Sequence, residues 1–188
     1  KERGFLPLKP GAYAQYVATP AEKVMAIPEG VSELDASLVE PLTVAVHAVR
    51  ASKIKLGDAA VILGAGPIGL LAQQCARRAG ATRVYVSETN AARRAVATCL
   101  GADAVFDPAQ LDLVQEIVVR TGIGADVASE CAGGRPTLQQ AMELVKMGGQ
   151  VVVVALAWEP VDCRPVEWVG REVELKSVYA HLNSEWLV

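Results

Sequence analysis

The sequence predicts an α/β protein built on a doubly wound, parallel, six-stranded sheet, and three observations predict it. From Ala59 onward, short Val/Ile/Leu-rich runs bounded by Gly or Asp alternate with Ala-rich stretches long enough for helices. Those runs are near-continuously apolar, as strands buried on both faces must be. A glycine cluster, Gly64-Ala65-Gly66-Pro67-Ile68-Gly69, sits directly between the first run and the helical stretch after it. With 188 residues, 52% apolar and 21% charged, the chain is expected to hold one full domain and part of a second.

Residues 11–19 alternate around Tyr13, Tyr16 and Val17, and residues 23–27 form a short apolar run stopped by Pro28-Glu29-Gly30. Two strands joined by a turn are expected there, outside the repeating part. Ser32 followed by Asp35 has the look of a capping box, and the helical composition after it lasts until Pro41, which lacks a backbone donor and should open a new helix. Residues 42–51 then run on as that helix, with Leu42, Val46 and Val49 on one side. Strands follow at 60–63, 83–87, 104–106, 125–130, 150–155 and 173–177, with helices between the first five. Parallel strands need crossover connections, so helices should cover both faces, in the strand order 3-2-1-4-5-6. The strand at 150–155, with 173–177 beside it, falls near a sheet edge, where unpaired ladder groups invite a second copy of the chain.

Bulk properties narrow the function. A formal charge of −3 without any Lys/Arg-rich run gives no electrostatic footprint for nucleic acid or an anionic membrane, so the expected partner is a small molecule. No apolar stretch approaches the roughly 20 residues of a membrane span, and Lys1 to Phe5 lack the order of a signal peptide, which makes the cytoplasm the default location. Cys75, Cys99, Cys131 and Cys163 include no C-x-x-C pair, so they read as buried, reduced side chains rather than a zinc knuckle or redox pair. His47 and His181 have no second ligand four residues on and read as structural. The chain opens on Lys1 and closes on Asn183-Ser184-Glu185-Trp186-Leu187-Val188, a helix cap with one turn behind it, and is therefore expected to be a piece of a longer protein.

The glycine cluster carries the chemistry. Between a strand and a helix, a G-x-G-x-x-G turn brings backbone amides and the positive helix end to one point, where a diphosphate fits. Gly64 permits the tight turn, Gly66 the close approach of the phosphates, and Gly69 the close packing of helix on strand, while Pro67 and Ile68 open the helix. Glu88 ends the second strand about twenty residues on, placed to accept both hydroxyls of an adenosine ribose. A 2'-phosphate beside it would be repelled, which favours NAD over NADP, although Arg93 and Arg94 nearby leave that choice open, and Arg93 joins the candidate cofactor residues. Cys131 and Ala132 after the fourth strand, and Val154, Ala155 and Leu156 at the end of the fifth, fall on the edge where ligands bind open α/β sheets; they are either nicotinamide contacts or ordinary turns. The sheet is thus expected to be of the Rossmann type.

Taken together, Gly11-Ala12-Tyr13-Ala14-Gln15-Tyr16-Val17, Ile27-Pro28-Glu29-Gly30, Glu40-Pro41-Leu42 with Val44-Ala45-Val46-His47-Ala48, the glycine cluster and Val86-Ser87-Glu88 resemble the medium-chain dehydrogenases, specifically the zinc-type sorbitol, 2,3-butanediol and threonine dehydrogenase branch. The resemblance implies hydride transfer between a secondary alcohol or polyol and NAD, with a catalytic zinc holding the alcohol oxygen in the complete enzyme. It further implies that residues 1–40 are a remnant of a β-rich, GroES-like catalytic domain, 41–180 the NAD-binding domain and 181–188 the start of the return, and that the protein is a homodimer or homotetramer. Family members take their first zinc ligands, a Cys and then a His-Glu pair, from before the Gly11 segment, so the chemistry is incomplete in this chain. Glu40 is the one candidate here for the metal site: standing among Leu38, Val39, Pro41 and Leu42, it is either a zinc neighbour or a helix cap favoured by the dipole. A non-catalytic dinucleotide-sensing module, a zinc-free reductase of the same superfamily and, more remotely, a methyltransferase remain open beside the dehydrogenase.

Overall fold

A computed structural model describes residues 11–181. The chain divides after Ser37 into two units.

In the first unit the described residues form a single 3₁₀ turn, Ala21–Lys23, and one short helix, α1 (Glu33–Ala36). Ser32 caps the helix as expected, but as half of the box: its hydroxyl accepts from the Asp35 N–H at 3.0 Å, and the Asp35 carboxylate accepts from that hydroxyl at 2.7 Å rather than from the Ser32 N–H. The two strands expected at 11–19 and 23–27 are absent among the described residues. Tyr13, Tyr16, Val24 and Ile27 are exposed instead. Alternation makes a strand only where one face is buried and a neighbouring ladder takes the backbone groups, and a lone pair of strands is marginal.

The second unit is the expected sheet. Its helices and strands run α2 (Val39–Ala51), β1 (Ala59–Leu63), α3 (Pro67–Arg78), β2 (Arg83–Ser87), α4 (Ala91–Cys99), β3 (Ala104–Phe106), α5 (Leu113–Thr121), β4 (Ala125–Glu130), α6 (Thr137–Leu144), β5 (Val145–Val153), α7 (Pro165–Val169) and β6 (Glu174–Ser177). All six strands are parallel, in the order β3-β2-β1-β4-β5-β6. β1 and β6 differ from expectation by one residue at their starts, β5 ends at Val153 rather than residue 155, and two starts differ by more. Helix α2 starts at Val39 rather than Pro41, because the first turn of a helix leaves its N–H groups unused and a proline there costs nothing. Strand β5 starts at Val145, ahead of Gly148-Gly149, and a register shift between Ala125 and Val127 of β4 absorbs the extra residues.

Two apolar layers sandwich the sheet, and β1 feeds both. Val61 and Leu63 pack with Tyr85, Phe106, Ile117 and Met142 on the α5/α6 side. Ala60 and Ile62 pack with Ala45, Ala72, Ala76, Val84 and Val86 on the α2/α3 side. The alanines keep α2 and α3 close to the strands, while β1, buried along its whole length, fixes where its C-terminal end meets the glycine turn. Helix α4 contributes Ala97 to the core and leaves Cys99 exposed at its end. All four cysteines are free; Cys75 and Cys131 pack, partly buried, against the α2/α3 core, whereas Cys99 is exposed because the buried position of that helical turn is taken by Ala97. Among the described residues no helix is long and apolar enough to cross a membrane.

Candidate functional site

The C-terminal edge of the sheet gathers the glycine turn, two acids and a cavity. Gly64 leaves β1 with φ +92°, a left-handed conformation that favours glycine, and its N–H donates to the Ser87 carbonyl at 2.8 Å. A Cβ on Gly69 would stand 1.9 Å from the Gly64 carbonyl oxygen, so helix and turn meet this closely only without a side chain. Gly66 differs: it caps α3 in extended conformation, and a Cβ there would meet nothing within 4 Å. The space in front of Gly66 is an open cradle at the helix's positive end, with Pro67 at the first helical position.

Glu88 follows β2 and is 8% exposed. Its Oε2 accepts from the Ala65 N–H at 2.8 Å, and its Oε1 accepts from the Asn90 N–H at 2.8 Å and from the Thr89 hydroxyl at 3.3 Å. Burial pushes the carboxyl up, but the N–H groups of Asn90 and Ala65, the Thr89 hydroxyl and the Arg93 guanidinium, 3.9 Å away, together hold it below the usual carboxylate range. The two arginines separate in role. Arg94 donates to the carbonyls of Glu88 and Thr89 and pairs with Asp107 at 3.1 Å, whereas Arg93 stands beside the Glu88 carboxylate with more than half its side chain exposed.

Beyond the turn lies a cavity of about 530 Å³ lined by Val44, Ile68, Cys131, Ala132, Gly133, Val154, Ala155, Leu156, Tyr179 and Ala180. The structure thus brings together Ile68, Cys131, Ala132, Val154, Ala155 and Leu156, all read from the sequence, and adds Val44, Tyr179 and Ala180. Tyr179 and Ala180 were legible in principle, since they leave β6 at the same sheet edge as the other strand ends. Burial, reinforced by the Glu130 carboxylate beside it, pushes the Cys131 thiol up to about 12, which keeps it a neutral wall of the cavity and not a nucleophile. Glu130 itself, 2% exposed, is the residue that sequence reasoning used only for its place in the chain; its carboxylate accepts from Ala132, Gly133 and Thr137.

Glu40 lies in the first turn of α2, and its side chain is 62% exposed, so no apolar packing among the described residues obliges it to hold a cation. Its Oε1 lies 3.9 Å from His181 Nε2. Among the described residues no group of three or more His, Cys, Asp or Glu side chains converges as a metal site requires. The described residues therefore do not fit a zinc ion by themselves.

Residues 67–186 match the family model described as zinc-binding dehydrogenase. The chain belongs to the zinc-binding dehydrogenase family. Over 184 residues it is 37% identical to an (R,R)-butanediol dehydrogenase of Bacillus subtilis, covering 96% of this chain and 53% of that protein. A sorbitol dehydrogenase of Bacillus subtilis is 30% identical over 176 residues, 93% of this chain and 50% of that one. Among solved structures, 2R,3R-butanediol dehydrogenase from Bacillus subtilis superposes with a TM-score of 0.80 at 38% identity, covering 85% of this chain and 46% of that chain. A structure from Sinorhizobium meliloti 1021, bound to NADP, gives the same TM-score at 36% identity, with 86% and 48% coverage. This zinc-binding dehydrogenase chain spans about half the length of the curated relatives it matches.

Proposed function

We propose that this chain is the NAD(H)-binding portion of an oxidoreductase that moves a hydride between a secondary alcohol or polyol and the nicotinamide ring. The observation that carries the reading is the open cradle before Gly66, set between a buried strand and a helix N-terminus, with Glu88 at the neighbouring strand end. In it, the backbone of Gly64, Gly66 and Gly69 and the helix that Pro67 and Ile68 open receive the diphosphate. Glu88 takes the adenosine ribose. A carboxylate has about two acceptor sites on each oxygen. The N–H groups of Ala65 and Asn90 occupy one site on Oε2 and one on Oε1, which leaves one per oxygen for the two hydroxyls of the diol once the 3.3 Å contact from Thr89 yields. Arg93 reaches the same sugar from the solvent side. The walls formed by Cys131, Ala132, Val154, Ala155 and Leu156 flank the nicotinamide, which supplies the hydride acceptor when bound.

Glu40 is retained as a residue facing the reaction side in the complete protein, its carboxylate steadied by the dipole of α2 and by His181. We place residues 1–40 with the catalytic domain, 41–180 with the cofactor domain and 181–188 with the return to the former. The exposed edge of β6, with Leu175 at the surface, supports assembly as a homodimer or homotetramer.

Calorimetric titration of the chain with NADH and NADPH tests the reading. The expected result is binding of NADH with NADPH weaker; heat with neither refutes it, and preference for NADPH refutes the role of Glu88.

A further inference from the structure

We propose that Glu130 is a positioning residue for the nicotinamide end of the cofactor: its buried carboxylate fixes residues 131–134, one wall of the cavity beyond the glycine turn. The inference rests on the reading of that cavity given above. Glu130 is the last residue of β4. Its Oε1 accepts from the N–H of Ala132 at 2.9 Å and of Gly133 at 2.8 Å, and the Thr137 hydroxyl lies 2.8 Å away. That hydroxyl also lies 2.7 Å from the Gly134 carbonyl, and with one proton it serves one acceptor at a time. The Glu130 main-chain carbonyl accepts from Val154 and Ala155 at 2.9 and 3.0 Å. One residue therefore fastens two walls of the same cavity, the first through its side chain and the second through its backbone.

The tolerances around this wall are small. A Cβ on Gly64 would come within 3.0 Å of Ala132 Cα, and one on Gly133, at φ +66°, within 3.3 Å of Ala155 Cβ. The loop is thus wedged between the glycine turn and the segment leaving β5, and slack in it moves the wall away from the cavity. A carboxylate is costly to bury unless several donors meet it, and an apolar side chain in its place would strand the N–H groups of Ala132 and Gly133. Two donors on one charged oxygen also hold the loop more stiffly than neutral pairs would.

The test compares NADH with ADP-ribose, which carries the same adenosine and diphosphate but no nicotinamide, on the wild-type chain, Glu130→Gln and Thr137→Val. Thr137→Val removes one donor at the half-buried start of α6 and carries the test alone should Glu130→Gln fail to fold. The expected result for Glu130→Gln is a dissociation constant for NADH raised on the order of tenfold, with ADP-ribose changed by less than about twofold; Thr137→Val moves in the same direction by less. The emission of bound NADH shifts toward that of the free cofactor in both. Variants in which the two affinities fall together, or neither changes, overturn the inference while leaving the proposed function standing. A wild-type chain that binds neither ligand overturns the proposed function, and this inference with it.

Discussion

Gly66→Ala separates binding from folding. In the folded chain the added methyl meets nothing within 4 Å, and Gly66 sits at φ −72°, ψ 179°, which any residue adopts. Two small effects on stability then oppose each other. Alanine narrows the unfolded ensemble, a gain of about 0.4–1 kcal/mol. It is also a poorer helix cap than glycine, a loss of the order of 0.5–1 kcal/mol. The sum lies within about 1 kcal/mol of zero, and for a chain of this size that is a shift of no more than about 2–4 °C in the melting temperature. The same methyl, however, fills the cradle in which the proposed function seats the diphosphate against the backbone. Displacing it breaks charge-assisted hydrogen bonds worth about 1.5–3 kcal/mol each, so affinity for NADH should fall roughly tenfold to a hundredfold. Thermal melts paired with NADH fluorescence titrations measure both quantities on one preparation. Unchanged affinity in a variant with an unchanged melt would refute the placement of the diphosphate at Gly66.

Gly69→Ala is the counterpart: with 1.9 Å between its Cβ and the Gly64 oxygen, both stability and binding should fall, and a melt equal to wild type contradicts the packing described. Glu88→Ser should lower NADH affinity and raise that for NADPH, because it removes the charge that repels a 2'-phosphate and leaves Arg93 in place; titration with both cofactors decides this, and unaltered selectivity removes Glu88 from the ribose site. Glu88 also predicts an acid response. A carboxyl held below its ordinary value of 4.5 in the folded state contributes stability that is complete above that value and is lost as pH falls through the lowered one. Denaturant midpoints measured from about pH 6 to pH 3 should therefore decline more steeply in the wild type than in Glu88→Gln, with parallel curves as the contrary result. Ile62→Ala, at the fully buried centre of β1, should cost about 2–5 kcal/mol and lower the melting temperature by several degrees without altering cofactor selectivity.

The parts legible in the sequence are those whose physics is local. Strands β2, β3 and β4 were readable to the residue because each is a short apolar run closed by a polar or glycine boundary, and the sheet order followed from the crossovers. The glycine turn was readable because Gly64 and Gly69 each answer a separate steric demand, while Gly66 completes the spacing without one inside the chain. What escaped depended on distant partners. Residues 11–19 alternate like a strand, but a strand is a relation between segments, and the described part of that unit offers none. Glu40 sits among apolar neighbours in sequence, yet a helix turns its side chain to water regardless of the residues beside it in the chain. Glu130 gave only a faint signal, an acid closing a buried strand with a threonine seven residues on, and its donors come from a loop whose path no local pattern reveals.

The two acids at this edge hold the turn in one shape without any ligand. In the sheet, Leu63 of β1 lies beside Ser87 on one flank and Glu130 on the other. Gly64 donates to the Ser87 carbonyl, and Cys131 donates to that of Leu63, so the main chain on either side grips the turn. Glu88 then returns its side chain to Ala65 within the turn, while Glu130 returns its own to the loop that abuts Gly64. Each acid spends part of its acceptor capacity on backbone, which is how a buried carboxylate is tolerated, and in doing so each freezes a segment that would otherwise be ordered at the expense of binding. The difference between them is the function. On the proposed reading Glu88 keeps one acceptor site on each oxygen for a ligand, so its loss should change which cofactor binds. Glu130 turns its hydrogen bonds inward, so its loss should change only how well the far end of that cofactor is held.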